Sequence, residues 1–323
     1  MKIEGYFLLL IFLVTTYSYA GQKEPHVVVL GITKPGATLP QVRGLLDGLE
    51  EAGYVDGKNV IIQRIQAEDV QEVRDHLAKL AQGKIDAIVA TSAKETAIAK
   101  EATSTIPIIF VPAVDPVGMG FVQSRSRPNG NLTGLSFTHD VEDNGKQLAV
   151  FKHVVPRMRR VTLFYDSQPT TTLSAILTVL KRVAGILHIQ LAEFQADSAA
   201  EANQLLDRVP KGTTDGIFAI CSATFRGMAP IADRALKMAV ALFGCTATQV
   251  SEEGALMTYA PDIYYMGYRG AWYVDRILKG TKPEQLPVEA PTKFELVVNL
   301  KIARRIGLTI PPEVLILADK VFQ

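Results

Sequence analysis

Short polar side chains follow the ends of several apolar, strand-like runs, and these residues have the types and positions of a binding site. The candidates in the amino-terminal half are Thr33, Thr91, Ser92, Ala93, Asp115 and Thr138. Those in the carboxyl-terminal half are Asp166, Ser222, Thr246 and Tyr259. Open α/β sheets bind ligands in the loops at the carboxyl ends of their strands. The set supplies hydroxyls, two carboxylates and an aromatic ring, so we predict a cleft that holds a small polar ligand.

Two of these positions have a structural role as an equal alternative. Residues 91–93 open a predicted helix, whose free backbone N–H groups suit a ligand carboxylate. Ser92 and Glu95 also have the spacing of a capping box, which would make Ser92 a purely structural residue. Asp115 either pairs with a ligand ammonium group or fixes the turn that it makes with Pro116. The sequence leaves both alternatives open.

The remaining candidates are ordinary loop residues at strand ends. Thr33 follows the first predicted strand, and Thr138 lies just past a strand where it would face the cleft. Tyr259 could stack on a flat ligand. For Thr33 a structural role is again the alternative. The same holds in the carboxyl-terminal half for Asp166, Ser222 and Thr246. Asn131 and Thr133 belong to the turn before Thr138 and are predicted to stabilise that turn.

Composition and motifs argue against several other classes of protein. The 34 Lys and Arg residues balance 33 Asp and Glu residues without a basic stripe, so we predict no nucleic-acid partner. The chain has no G-x-S-x-G, no phosphate-binding glycine loop, no C-x-x-C and no H-E-x-x-H, and its five histidines are scattered. We therefore predict no catalytic residue, no metal and no cofactor.

The amino terminus has the pattern of a secretory signal peptide. An apolar run at residues 7–14 precedes a small-residue pattern that ends at Ala20. Gly21 follows the predicted cleavage point, so no cysteine is available there for a lipid anchor. No later apolar run approaches the roughly 20 residues that a spanning helix needs. We predict a signal peptide at residues 1–20 and a periplasmic mature protein that begins at residue 21.

Cys221 and Cys245 each end a strand-like run. If the two strands are neighbours, both sulfur atoms lie at the same edge of one sheet. A disulfide can then form in an oxidising compartment. Two buried free thiols are the alternative, because unpaired cysteines are among the most buried residues.

Apolar runs of strand length alternate with amphipathic helical patterns along the chain, which is typical of parallel sheets covered by helices. The order of elements that begins at Val27 begins again at Val161, so two similar α/β lobes are predicted. The last 65 or so residues are too few for a third lobe. They must be divided between the two lobes, which implies several chain crossings and a hinge. Tyr265, Tyr268 and Trp272 have helical spacing and are predicted to be core residues.

Several motifs in order carry a resemblance to a known family. They are PIIFV at residues 107–111, DPVG at 115–118, RPNGNLTG at 127–134 and LPVEAPTKF at 286–294. The chain resembles the substrate-binding proteins of ABC importers, in the family that includes tryptophan- and tyrosine-transport members. It departs from the commonest family pattern at residues 128–130, where Pro-Asn-Gly stands in place of a proline and two glycines.

The resemblance implies a type I periplasmic-binding-protein fold, an α/β fold with two Rossmann-like lobes, parallel sheets and a three-crossing hinge. By that pattern, residues 21–137 and 256–281 form lobe 1, and residues 138–255 and 282–323 form lobe 2. The function it implies is that of an exported solute-binding protein, expected to be a monomer. This protein captures an amino acid or a similar small polar molecule by lobe closure and delivers it to an ABC permease in the inner membrane.

Two other classes would have the same features. A periplasmic sensor that reports its ligand to a membrane signalling partner needs the same cleft. An exported two-lobe enzyme is a further alternative, although no catalytic motif supports it.

Overall fold

The computed structural model describes residues 25–32, 39–66, 70–80, 85–138, 140–166, 171–222, 224–225 and 227–323. The predicted signal peptide and Thr33 lie outside these ranges. Within them, no helix has the length and apolar character needed to cross a membrane.

The first sheet consists of five parallel strands in the order β2-β1-β3-β4-β5. Its strands are β1 (His26–Ile32), β2 (Val60–Gln66), β3 (Ala87–Ala90), β4 (Ile108–Ala113) and β5 (Leu132–Ser136). The helices between these strands are α1 (Pro40–Glu51), α2 (Val70–Leu80) and α3 (Ala93–Ala102). The central strands β3 and β4 are almost completely buried, as expected for a parallel sheet with both faces covered.

The second sheet has seven strands in the order β12-β11-β10-β9-β8-β6-β7, and β10 and β11 are its antiparallel pair. The strands are β6 (Arg160–Tyr165), β7 (Gln190–Gln195), β8 (Gly216–Ala219), β9 (Ala241–Phe243), β10 (Met257–Pro261), β11 (Phe294–Asn299) and β12 (Lys320–Phe322). The helices before β10 are α4 (Glu142–Val154), α5 (Thr171–Ile186), α6 (Ala199–Leu205), α7 (Ala229–Met238) and α8 (Ala247–Ser251). The later helices are α9 (Ile263–Leu278), α10 (Leu300–Arg305) and α11 (Pro312–Leu317).

The chain passes between the two sheets three times, which confirms the predicted two-lobe architecture. The first passage follows β5 and leads into α4. The second lies between β10 and α9, because β10 belongs to the second sheet whereas α9 packs against α1 of the first. The third passage leads from α9 along β5 to β11.

The structure places two segments in a different lobe from the one that the sequence predicts. The sequence predicts residues 256–281 in lobe 1, but β10 pairs with β9 and with β11, so this passage lies at Pro261 and not before residue 256. Residues 282–323 were assigned to lobe 2, but the backbone of Glu289 pairs with Gly134 and Ser136 at the edge of β5. The crossing segment therefore lies against the first sheet before it reaches β11. The other predicted bounds stay a prediction.

The predicted core position of three aromatic residues on α9 is wrong. Tyr265 is 40% exposed, and Tyr268 and Trp272 are half-buried. The buried face of α9 instead contains Gly267, Gly270, several small or aliphatic neighbours and Tyr273, which is fully buried. Because these glycines bring α9 very close to α1 and β4, the rings of Tyr265, Tyr268 and Trp272 lie nearer the outer side of the helix.

Candidate functional site

The carboxyl ends of the strands of the two sheets face each other. Val114, just after β4, packs against the apolar cluster of the second lobe, and Phe137, just after β5, is part of that cluster. Both residues lie at the carboxyl edge of the first sheet. This contact brings the loops after β3, β4 and β5 opposite the loops after β6, β8 and β9. The predicted site residues that the structure describes lie in these loops, except for Tyr259.

The start of α3 is built around a buried carboxylate. The backbone N–H and the hydroxyl of Thr91 donate to Glu95 Oε2 over 2.6 and 2.7 Å. Ser92 is the N-cap residue, and its hydroxyl accepts from the Glu95 N–H at 3.2 Å. Ala93 is the first helical residue. Thr91 and Ser92 thus stabilise the start of α3, which is the structural role that the sequence offers as the alternative for Ser92. Ligand contact by residues 91–93 stays a prediction.

The second lobe repeats this arrangement at the start of α8. Thr246 is the N-cap residue, and its hydroxyl accepts from the Gln249 N–H at 3.3 Å. Gln249 Oε1 accepts from the backbone N–H of Cys245 at 2.6 Å, as Glu95 does from Thr91. Thr246 is half-buried whereas Ser92 is buried, so the Thr246 hydroxyl is the more accessible of the two.

Asp115 joins the two lobes. Its Oδ1 accepts from the Gly118 N–H at 2.8 Å, so the predicted role in fixing the turn is confirmed. Its Oδ2 accepts a hydrogen bond from the hydroxyl of Thr172 in the first turn of α5. Sequence reasoning missed Thr172, because it is one of several Ser and Thr residues in its segment and no spacing distinguishes it.

Asp166 and Ser222 come together at the edge of the second sheet. β6 and β8 are parallel neighbours, and the Ser222 hydroxyl donates to Asp166 Oδ1 at 3.3 Å. Among the residues that the structure describes, no Lys, Arg or His forms an ion pair with Asp166 or with Asp115. Each lobe therefore contributes one carboxylate whose charge has no ion-pair partner in the described part of the chain. Such an arrangement favours a ligand with a cationic group.

Thr138 and Tyr259 have internal partners. The Thr138 hydroxyl donates to the Val114 carbonyl oxygen at 3.1 Å, which ties the end of β5 to the loop after β4. The Tyr259 ring lies against Phe294, with 5.5 Å between the ring centroids. Tyr259 belongs to β10 inside the second sheet, and its ring contact in the structure is a tilted one with a protein side chain. Ligand contact by either residue stays a prediction.

Of the two residues predicted to stabilise the turn before β5, Asn131 does so, whereas Thr133 lies in β5 and bonds the third crossing instead. Asn131 Nδ2 donates to the Ile106 carbonyl oxygen at 2.7 Å. The Thr133 hydroxyl donates to the Leu286 carbonyl oxygen at 2.7 Å and so fastens the third crossing to β5. Both residues act on the protein's own backbone.

Cys221 and Cys245 form a disulfide, with 5.4 Å between their Cα atoms. Of the two alternatives that the sequence left open, the structure contains the bond and not the free thiols. β8 and β9 are parallel neighbours, as the disulfide requires. The bond ties together the backbone immediately before Ser222 and Thr246, so it helps to position the second lobe's edge of the cleft.

Two ion pairs hold the third crossing. Arg269 of α9 donates two hydrogen bonds to Glu289, at 2.8 and 2.7 Å, and Lys293 lies 2.9 Å from Asp262 at the start of α9. The Arg269 hydrogen bonds lower the pKa of Glu289, against the opposing effect of its burial. For Asp262 burial is the largest effect and raises the pKa, but the Lys293 and backbone hydrogen bonds outweigh it and the pKa is lowered.

Two surface cavities lie away from the predicted site. A cavity of about 450 Å³ lies at the opposite edge of the first sheet, beside Asp86, Asn131 and Lys282. A second, of about 220 Å³, lies at the third crossing beside Arg269 and Glu289. None of the predicted site residues lines either cavity. In the described part of the chain, no group of three or more His, Cys, Asp or Glu residues is arranged to hold a metal ion.

Comparisons with known proteins agree with this architecture. A family model described as ABC transporter substrate binding protein matches residues 26–322. A protein of Clostridioides difficile named tyrosine-binding protein is 26% identical over 259 residues, which are 80% of this chain and 73% of that protein.

Among solved structures, a conserved domain protein from Vibrio cholerae has a TM-score of 0.81 and 28% identity, covering 93% of this chain and all of that one. A domain from Streptococcus pneumonia solved with L-Trp also has a TM-score of 0.81, with 24% identity and the same coverage of both chains.

Proposed function

Because the chain belongs to the ABC transporter substrate-binding proteins, a family of solute-binding proteins, we propose that it captures an amino acid between its two lobes. The observation that carries the proposal is the pair Asp115 and Asp166, one on each side of the cleft. In the described part of the chain, neither forms an ion pair with a protein cation. A ligand ammonium group between them would supply the missing positive charge.

The relatives support this class of ligand. The Clostridioides difficile relative is named for tyrosine, and the Streptococcus structure contains L-Trp. In this chain the ligand carboxylate would meet the backbone N–H groups of Ser92 and Ala93 at the start of α3, next to Thr91, whose own N–H donates to Glu95. Hydroxyls of Thr138, Ser222 and Thr246 would complete the contacts, together with Thr33 and Tyr259. The protein groups that contact the side chain of the ligand would select among amino acids. The sequence pattern does not identify those groups.

Binding would proceed by closure and would make or break no covalent bond. Ligand contacts from both lobes favour the closed arrangement, and motion occurs at the three crossings. We propose that an ABC permease in the inner membrane recognises the closed monomer from its outer surface and receives the ligand. The protein would act in the periplasm after export by residues 1–20.

A calorimetric screen of the purified protein, residues 21–323, against the common amino acids tests the ligand class. We expect at least one to bind in a one-to-one ratio, and we expect mass spectrometry of the protein as isolated to find an amino acid. If none binds and the copurified molecule belongs to another chemical class, the amino-acid proposal is wrong.

Export is tested separately. The full chain is produced in a Gram-negative host, and the amino terminus of the periplasmic protein is sequenced. We expect the sequence to begin at Gly21. A protein retained in the cytoplasm with residues 1–20 intact would contradict the periplasmic proposal and leave the ligand proposal standing.

A further inference from the structure

The loop after β4 contacts the second lobe through two consecutive residues. Val114 packs against the apolar cluster of that lobe, and Asp115 accepts a hydrogen bond from the Thr172 hydroxyl. We refer to the Asp115–Thr172 hydrogen bond as the interlobe clasp. It joins a strand end of the first sheet to the first turn of α5, a helix that packs on the second.

The first-lobe half of the clasp is held in place by its own turn. Asp115 Oδ1 accepts from the Gly118 N–H at 2.8 Å, and the Asp115 carbonyl oxygen accepts from the Met119 N–H at 2.9 Å. A Cβ atom at position 118 would overlap the Asp115 carboxylate where it now lies, so a larger residue there would displace the carboxylate. Because the carboxylate is fixed to the first lobe, it cannot follow Thr172 when the lobes separate. The clasp is therefore made in the closed arrangement and broken in the open one.

We propose that Thr172 is a positioning residue that favours closure and so raises ligand affinity. The inference rests on the proposed function, in which the ligand is held by closed lobes. A hydrogen bond that exists in only one of two arrangements shifts their populations in its own favour. A ligand that binds the closed arrangement then binds more tightly by the same factor.

The clasp leaves Asp115 able to contact the ligand. An ionised carboxylate has about four acceptor positions, and Gly118 and Thr172 use two of them. The remaining positions stay available to a ligand ammonium group. Thr172 would thus orient the Asp115 carboxylate as well as hold the lobes together.

The test compares Thr172→Val, which keeps the shape of the side chain and removes its hydroxyl, with Thr172→Ser, which keeps the hydroxyl. Thr178→Val is the matched control, because the Thr178 hydroxyl donates to the Ser174 carbonyl oxygen within the same helix, at 2.9 Å. Small-angle X-ray scattering of the ligand-free proteins reports the lobe arrangement. Calorimetry with the amino acid found in the screen reports affinity, and thermal unfolding reports stability.

We expect Thr172→Val to increase the radius of gyration of the ligand-free protein, to raise the Kd roughly tenfold and to lower the Tm by no more than about 2–4 °C. Thr172→Ser and Thr178→Val should match the wild type in all three measurements. If Thr172→Val has the same radius of gyration and the same Kd as the wild type, the interlobe clasp does not favour closure. The proposed function would then still stand. If no amino acid binds, the scattering of the ligand-free variants still decides whether the clasp exists.

Discussion

At the scale of single residues, the clearest functional signal is a charge without an ion-pair partner. Asp115 and Asp166 lie on opposite lobes, and the hydrogen bonds that the structure gives their carboxylates come from hydroxyls and a backbone N–H. Some other carboxylates of the described chain, such as Glu289 and Asp215, are paired with arginine. The position of both carboxylates at the facing strand ends of the two lobes supports a ligand, rather than the protein, as the source of the missing positive charge.

Asp115→Asn should weaken binding of an amino acid about 10- to 100-fold, because a charge-assisted hydrogen bond of roughly 1.5–3 kcal/mol becomes a neutral one. The amide keeps the shape of the side chain and can still accept from Gly118, so Tm should change little. Calorimetry measures the affinity. Asp233→Asn is the matched control, since Asp233 is exposed on α7. Equal affinities for wild type and Asp115→Asn would remove Asp115 from the proposed site.

Sequence reasoning identified Asp115 and missed Thr172 for physical reasons. An aspartate before a proline, directly after a buried strand, is conspicuous because both its turn chemistry and its place in a parallel sheet are local properties. Thr172 acquires its role only because the lobes meet at that point. Contacts that depend on the relative placement of two lobes leave no periodicity or spacing in either segment.

At the scale of elements, the packing of α9 on α1 fixes the first lobe. Gly44 and Gly267 lie where the two helices approach most closely, and a Cβ atom on either would overlap the backbone of the other helix. The sequence predicts amphipathic helices along the chain, and Tyr265, Tyr268 and Trp272 mark the helical spacing of α9. It predicts the wrong side of α9 to be buried, because the two tyrosines and Trp272 have the same helical spacing as a core stripe. The close contacts at the two glycines determine which side of α9 faces α1. Glycine has no apolar side chain, so a hydrophobic pattern does not reveal these contacts.

Gly267→Ala should destabilise the protein by about 1–3 kcal/mol, since the added methyl group forces the two helices apart. Gly185→Ala is the matched control, because Gly185 is also a helix residue but has open space around it. That substitution should be neutral or stabilising by about 0.5–1 kcal/mol. Thermal unfolding measures both variants. A Gly267→Ala protein as stable as Gly185→Ala would contradict the close contact.

The disulfide between Cys221 and Cys245 should contribute about 3 kcal/mol to the free energy of unfolding. It closes a loop with a sequence separation of 24 residues, which restricts the unfolded chain. Urea unfolding of the wild type with and without a reductant measures the contribution. The Cys221→Ala and Cys245→Ala double variant should resemble the reduced wild type and should not respond to reductant. If reductant leaves the unfolding midpoint of the wild type unchanged, the bond does not form in solution.

At the scale of the whole molecule, two sheets share a chain that crosses between them three times. Alternation of strands and helices was sufficient to predict two α/β lobes, and the short tail was sufficient to predict the crossings. The position of the second crossing was predicted too early, because an apolar run such as β10 fits either sheet equally well. Pairing with β9 and β11 placed it in the second sheet, and that pairing is a long-range contact.

The third crossing makes stability depend on pH through Glu289. Hydrogen bonds from Arg269 lower the pKa of Glu289 in the folded protein. A carboxyl group with a lowered folded pKa stabilises the protein above its unfolded pKa, which is about 4.3, and the stabilisation is lost as the pH falls through the folded value. Urea unfolding at pH 7, 5, 4 and 3 should show Glu289→Gln less stable than wild type at pH 7, with the difference shrinking below about pH 4. Glu284→Gln, which changes an exposed residue of the same segment, should match the wild type throughout. A Glu289→Gln deficit that stays constant down to pH 3 would show that the ion pair does not tie the crossing to α9.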